Sequence, residues 1–226
     1  MTRCIKVNGP VPEADVWLAD EIVQLRFKAE PGYELSRWLG HCRQWFSQNF
    51  QLSDVVPGAT SLTLMGVSPN RLDNIITAFE YLPEATYKQR AIHEIEVGYH
   101  PNWMDTAEVC EKLKINFEQL VDLHSNSDYY LAFVGFLPGF VYLGGGNPLL
   151  DLPRKDKPAP RLPLGSVGIA PGYTGIYPQS SPGGWHIIGL TTHKIFTPEI
   201  EIQNHWQAGD RVRLIPVMLP STALKS

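Results

Sequence analysis

The chain has 226 residues, 43% hydrophobic and 19% charged, with a formal net charge of −4. That balance gives a buried core and excludes a disordered chain, and without a long basic run it excludes a nucleic-acid surface. The opening "MTRCIKVNGPVPEADVW" lacks the apolar core of a signal peptide and no segment reaches membrane-spanning length, so neither a leader nor a membrane is expected.

In chain order, Ile22–Phe27 predicts a strand. "ELSRWLGHCRQWF" then places Leu35, Trp38, Leu39, Cys42, Trp45 and Phe46 at helical spacing. Cys42 on that stripe is a small core residue rather than a reactive thiol. "SLTLMGV", with alternating Leu62 and Leu64, predicts another strand. A second helix is expected from Ser68 as N-cap and Pro69 at the first position, with the stripe Leu72, Ile75, Ile76, Phe79 and Leu82. These elements predict a small α+β sandwich domain over residues 1–87.

From residue 88 onward a second domain is expected. "AIHEIEVGYH" alternates Ile95, Val97 and Tyr99 with Glu94, Glu96 and His100, a half-buried strand. Two short helices follow, with Asp105/Glu108 and Asn116/Gln119 spaced as capping boxes. Beyond Asp128 the pattern changes: 12 of the 19 glycines lie between Gly135 and Gly189, interleaved with prolines. The β-like runs "YYLAFVGF", "SVGIA", "TGIYP", "WHIIGLT", "KIF" and "DRVRLIPV" between such breakers predict a β-barrel or sandwich.

The chemistry-bearing residues are sparse. Cys4, Cys42 and Cys110 form neither a disulfide framework nor a CxxC metal pair, and fit a reducing, cytoplasmic setting. No phosphate-binding GxxxxGK[ST] loop, dinucleotide GxGxxG, HExxH or GxSxG occurs. The pairs His93/His100 and His186/His193 are seven apart, which on a strand points them to opposite faces, so no metal site is expected. His124 shares a helix face with Phe117, Leu120 and Val121; it is either a helix-end histidine satisfied by a backbone carbonyl or an acid/base. "PRKDKPAPR" is either a solvated loop or an anion grip with Arg161 as its chief member. "SPGGW" is either a hairpin turn or a pocket wall, its glycines turning with positive φ and presenting N–H groups beside Trp185. "GFLPGFVYLGGGNP" has the apolar content of a strand and the breakers of a loop.

Three stretches in order, "DLHSNSDYYLAFVGFLPGFVYLGG", "RLPLGSVGIAPGYTGIYPQSSPGGWHIIGLT" and "AGDRVRLIPV", resemble the family of the B-type subunit of 5-oxoprolinase. That family is also labelled allophanate hydrolase subunit 1, or carboxyltransferase subdomain C/D, and includes the sporulation kinase inhibitor KipI. The resemblance covers roughly residues 90–217 and implies an α+β N-terminal sandwich domain followed by a cyclophilin-like β-barrel domain. It further implies one component of an ATP-dependent hydrolase opening 5-oxo-L-proline to L-glutamate. The implied partner proteins are the C-type and A-type subunits of the same enzyme, with ATP used by the assembled complex. A KipI-like regulator that binds and blocks a histidine kinase is the alternative.

Carried onto this chain, the resemblance implies His124 as the catalytic acid or base. It implies a substrate pocket of Phe136, Pro138, Phe140, Tyr142, Arg161, Ser166, Tyr173, Gly183, Gly184 and Trp185, with Gly144–Gly146 as its rim. Ser166 lacks the spacing of a nucleophile elbow, so binding rather than attack is its expected role. Two positions depart from the family pattern: Tyr173 stands where a glutamine is usual, and Leu190 where an arginine is usual. "YHPNWMDTAEV" also stands in place of a "YGGxxGPDL" type segment.

Overall fold

A computed structural model describes residues 2–85, 92–195 and 206–220. Two compact units result, one of residues 1–90 with Gln207–Gly209, the other of 91–206 with 210–226. The expected boundary at 87/88 lies outside the described residues.

The first unit is built from β1 (Thr2–Lys6), β2 (Glu13–Ala19), β3 (Ile22–Phe27), α1 (Tyr33–Asn49), β4 (Asp54–Pro57), β5 (Ser61–Met65) and α2 (Leu72–Glu80). Its antiparallel sheet has the order β1-β2-β3-β5-β4. The period-two pattern turns Val23, Leu25 and Phe27 of β3 and Leu62 and Leu64 of β5 inward. The helical stripes meet that face: Leu39, Cys42 and Phe46 of α1 are fully buried, and Phe46 lies 4.3 Å from Phe79 of α2. Ser68 and Pro69 do not open α2 directly. A 3-10 turn over Pro69–Arg71 precedes it, with the Arg71 amide bonded to the Ser68 carbonyl.

The second unit comprises β6 (Ile92–Tyr99), α3 (Thr106–Leu113), α4 (Phe117–Ser125), β7 (Tyr129–Val134), β8 (Val141–Gly144), β9 (Ala159–Leu162), β10 (Ser166–Ala170), β11 (Tyr173–Ile176), β12 (Ser181–Gly183), β13 (His186–Leu190) and β14 (Arg211–Met218). Seven strands close a barrel in the order β10-β11-β8-β7-β14-β6-β13, and β9 pairs with β12 as a separate ribbon. The expected α+β unit and closed barrel are thus what the chain forms. β14 runs parallel to β6 over eight residues but pairs with β7 only at Arg211 and Val212. Pro216, which has no amide proton to donate, therefore falls in the half of β14 with a single partner strand.

Ile95, Val97, Leu131, Val141, Leu143, Val167 and Ile176 fill the barrel. Helices α3 and α4 pack Val109 and Leu120 against Ile169 and Ile188. The Asn116/Gln119 capping box forms, with bonds of 2.8 and 2.9 Å. The Asp105/Glu108 box does not: Asp105 stands at the N-cap without capping, and Glu108 pairs with Lys112 instead. Lys194 and Ile195 of the expected "KIF" strand lie outside any strand, and Phe196 lies outside the described residues. No helix among the described residues is long and apolar enough to cross a membrane.

Candidate functional site

The stretch between β7 and β8 consists of two turns. Gly135 accepts from the Leu137 amide at 2.9 Å, a γ-turn that holds Phe136 at φ 69°. Leu137 then accepts from Phe140, with Pro138 and Gly139 (φ 85°) at the positions a type II turn assigns to them. A bulky residue at positive φ is strained. Here the strain presents an aromatic ring that is 63% exposed, with Phe140 edge-on 5.5 Å away.

Phe136 forms one lip of a cavity of about 280 Å³ lined by Phe140, Tyr142, Tyr177 and Trp185, with Arg154, Lys155, Pro158 and the Pro182–Gly184 backbone completing it. That volume is at the small end of the range for small-molecule sites. Phe140 is the hub of its wall, edge-on to Tyr177 at 4.9 Å and to Trp185 at 5.6 Å. Burial pushes the Tyr177 hydroxyl up to about 12; neighbouring Tyr142 adds to this, while Arg154 and the Trp185 amide bonded to it pull the other way. Burial likewise raises the Tyr142 hydroxyl against the pull of Arg154. Both phenols are therefore neutral donors at neutral pH.

Gly183 and Gly184 reach the pocket, but not with the positive φ expected of them. Gly183 is required by crowding, since a Cβ there would lie 2.4 Å from the Tyr177 hydroxyl. Gly144–Gly146 are no rim: Cβ atoms at Gly144 and Gly145 would strike Tyr130 and the Asp128 carbonyl, so the triplet packs against the β7 end.

The cations at the pocket are Arg154 and Lys155, not Arg161. Arg161 is exposed on β9 and donates from Nε to Ser180 Oγ at 3.1 Å. The segment before it is mostly exposed, as a solvated loop would be, but its start is pinned. His186 Nε2 contacts the Pro153 carbonyl at 3.1 Å, and the Lys155 amide donates to the Gly184 carbonyl at 2.8 Å. Lys155 Nζ donates to both Asp105 oxygens at 2.8 and 2.9 Å. Asp105 in turn accepts from the Ile187 amide at 2.7 Å. The Arg154 guanidinium lies 5.9 Å from the Trp185 ring centroid.

The structure thus brings Phe136, Phe140, Tyr142, Gly183, Gly184 and Trp185 to one pocket and leaves Pro138, Arg161, Ser166, Tyr173 and His124 out of its lining. Pro138 sits exposed in the type II turn. Ser166 is buried and donates to the Pro163 carbonyl at 2.7 Å. Tyr173 packs edge-on against Phe133 and Tyr142, and Leu190 pairs with Gly98 and Ser166, so neither position that departs from the family pattern lines the pocket.

His124 is fully buried, with Nδ1 2.6 Å from the Tyr99 hydroxyl and Nε2 3.0 Å from Thr174 Oγ1. Thr174 donates onward to the Tyr129 hydroxyl at 3.3 Å. With the Tyr99 hydroxyl donating to Nδ1, the Nε2–H donates to Thr174 and the chain of bonds runs in one direction. Side-chain hydroxyls, not a backbone carbonyl, satisfy the ring. Burial lowers its pKa to about 3, so it is neutral at neutral pH and sealed where α4 meets the barrel strands. Among the described residues no group of three His, Cys, Asp or Glu side chains converges as a metal site.

A closed barrel preceded in the chain by an α+β unit, with an aromatic pocket on its turn segments, defines the class of protein. The chain belongs to the family described as carboxyltransferase domain, subdomain C and D, whose model matches residues 16–205. It is 40% identical over 129 residues to the B-type subunit of 5-oxoprolinase from Bacillus subtilis (strain 168), over 57% of this chain and 54% of that protein. The chain therefore spans about half the length of that relative. With the corresponding 5-oxoprolinase component of Escherichia coli O157:H7 it shares 35% identity over 170 residues, 72% of this chain and 77% of the other. The crystal structure of TTHA0988 superposes with a TM-score of 0.76 at 31% identity, over 88% of this chain and 40% of that one.

Proposed function

We propose that the chain is one component of an ATP-dependent amide hydrolase of the 5-oxoprolinase type, acting with partner proteins on 5-oxo-L-proline to yield L-glutamate. The observation that carries this reading is the pocket. Its aromatic walls fit the flat body of a small cyclic amide, and Arg154 and Lys155 on one side fit its carboxylate. In this reading Arg154 takes the carboxylate role expected of Arg161. Gly183 and Gly184 form the wall beside the ring, and Phe136 covers it. His124 serves as a fixed internal strut, since a neutral, fully buried ring has no route to the substrate.

The pocket offers little to hold a triphosphate, since of its two cations one is already neutralised by Asp105. The nucleotide and the phosphoryl chemistry are accordingly assigned to partners of the C-type and A-type, in the cytoplasm, and no step on this chain runs through them. The test is ATP-dependent glutamate release from 5-oxo-L-proline by the purified chain mixed with its cognate partners. Release is expected, with Arg154→Gln lowering kcat/KM by about tenfold or more, the range for a lost charged contact. No release from the full assembly of folded proteins would sink the reading.

The strained, outward Phe136 favours a second reading, a KipI-like regulator that docks this ring on a histidine kinase. Full kinase autophosphorylation at saturating chain would eliminate it.

A further inference from the structure

Asp105 occupies the N-cap of α3 yet makes no capping bond. An aspartate at that position ordinarily accepts from the first-turn amides. Its carboxylate is instead turned to Lys155 and the Ile187 amide, three contacts of 2.7–2.9 Å. The partnership is well sheltered, the side chains of Lys155 and Asp105 being 17% and 13% exposed. It is also fixed from both sides. The Asp105 amide donates to the Ile187 carbonyl, and the Lys155 amide to the Gly184 carbonyl. These bonds fix the backbone beneath both side chains, and Asp105 cannot turn away without losing the Ile187 amide as well as Lys155.

The charges at the pocket can then be counted. Arg154 and Lys155 contribute two positive charges, and Asp105 subtracts one. Glu108 on the same helix is already held by Lys112 at 2.6 Å. Tyr142 and Tyr177 are uncharged. We propose that Asp105 is the specificity-determining residue of this pocket: by neutralising Lys155 it leaves one net positive charge and restricts the site to singly charged anions, rejecting dianions such as sulfate or a phosphate ester. Lys155 keeps one of its three ammonium protons for the ligand, so it acts as a hydrogen-bond donor more than as a charge. Arg154, whose guanidinium lies over Trp185, supplies the charge. The inference rests on the reading of this cavity as the ligand site.

The test uses the full chain, the ring N–H signal of Trp185 as reporter, and two probes, 5-oxo-L-proline as monoanion and sulfate as dianion. Wild type is expected to bind the monoanion more tightly. In Asp105→Asn one unit of negative charge is gone, and the second charge of sulfate makes it gain about tenfold more than 5-oxo-L-proline does. Adding Lys155→Met to Asp105→Asn should return the preference to wild type. Should Asp105→Asn not fold by circular dichroism, Lys155→Met alone decides: the pocket is then neutral and both probes lose affinity, sulfate more steeply. An unchanged ratio in these variants, equal binding of both probes by wild type, or no Trp185 response to either would overturn the proposal. Its failure is separable from that of the proposed reaction. If sulfate gains in Asp105→Asn as the charge rule requires while 5-oxo-L-proline binds neither form, the substrate assignment falls and the charge rule stands. If the assembly releases glutamate and the ratio does not move, the reverse holds.

Discussion

A histidine buried between a helix and the barrel strands shows how far a residue's role depends on what surrounds it. His124 is bonded at both nitrogens and depressed to about 3 by burial, so the folded protein excludes a proton that the unfolded chain takes up below about pH 6.5. Its contribution is fully present above pH 6.5 and is lost as pH falls toward 3, at up to about 1.4 kcal/mol per pH unit. Urea unfolding of wild type and His124→Gln at pH 7 and pH 5 should show wild type losing about 2 kcal/mol more over that interval. Ring ¹⁵N shifts should report the neutral Nε2–H form throughout. A ring that titrates near pH 6.5 in the folded protein would refute the account. Phe136 makes the complementary point: its positive-φ backbone holds an exposed ring at the pocket lip, where the proposed function would use it.

At the scale of elements, the two glycines of "SPGGW" separate by what their missing side chains would touch. A Cβ on Gly183, at the end of β12, would meet the Tyr177 hydroxyl at 2.4 Å and Leu162 Cδ1 at 2.6 Å, both on fully buried residues. Gly183→Ala is expected to cost about 1–3 kcal/mol in thermal or urea unfolding, the range for overpacking. At Gly184 the nearest atom is 3.7 Å away and φ is not positive, so Gly184→Ala should stay within about 0.5 kcal/mol. Equal effects at the two positions would mean the ribbon of β9 and β12 is not set by the Tyr177 contact. The same scale explains the unequal helix starts of the second unit. Asn116 caps α4, whereas Asp105 at the start of α3 is drawn away by a lysine and an amide that no local pattern announces.

Across the whole barrel, closure depends on its last strand. β14 supplies an eight-residue parallel ladder to β6 and the inward side chains Val212 and Leu214. Those two side chains alone are worth about 3–6 kcal/mol of burial, a large share of the roughly 5–15 kcal/mol that holds an ordinary domain folded. A chain ending at Asp210 should therefore lose the near-ultraviolet circular dichroism of the barrel and bind a hydrophobic dye. Retention of a cooperative barrel transition would show that β6 and β7 close without it. Strands so far apart in the chain must also meet late, because loop closure precedes the contacts that reward it.

The elements legible in the residues alone are those whose signal is local. The helical stripes of α1 and α2, the alternation of β3, β5 and β6, and the Asn116/Gln119 cap all follow from side-chain periods of 3.6 and 2 or from contacts three residues apart. The ordered "GFLPGF" and "PGGW" stretches likewise pointed to one pocket, because aromatics and breakers in both are written into short runs. Which cation enters that pocket, why Gly183 must be glycine, and where His124 points were settled by tertiary contacts. Lys155 meets Asp105 across 50 residues, and His124 meets Thr174 across the same distance. Charge and polarity in a sequence name the groups that need partners, but the partners are chosen by which distant strands the barrel sets side by side.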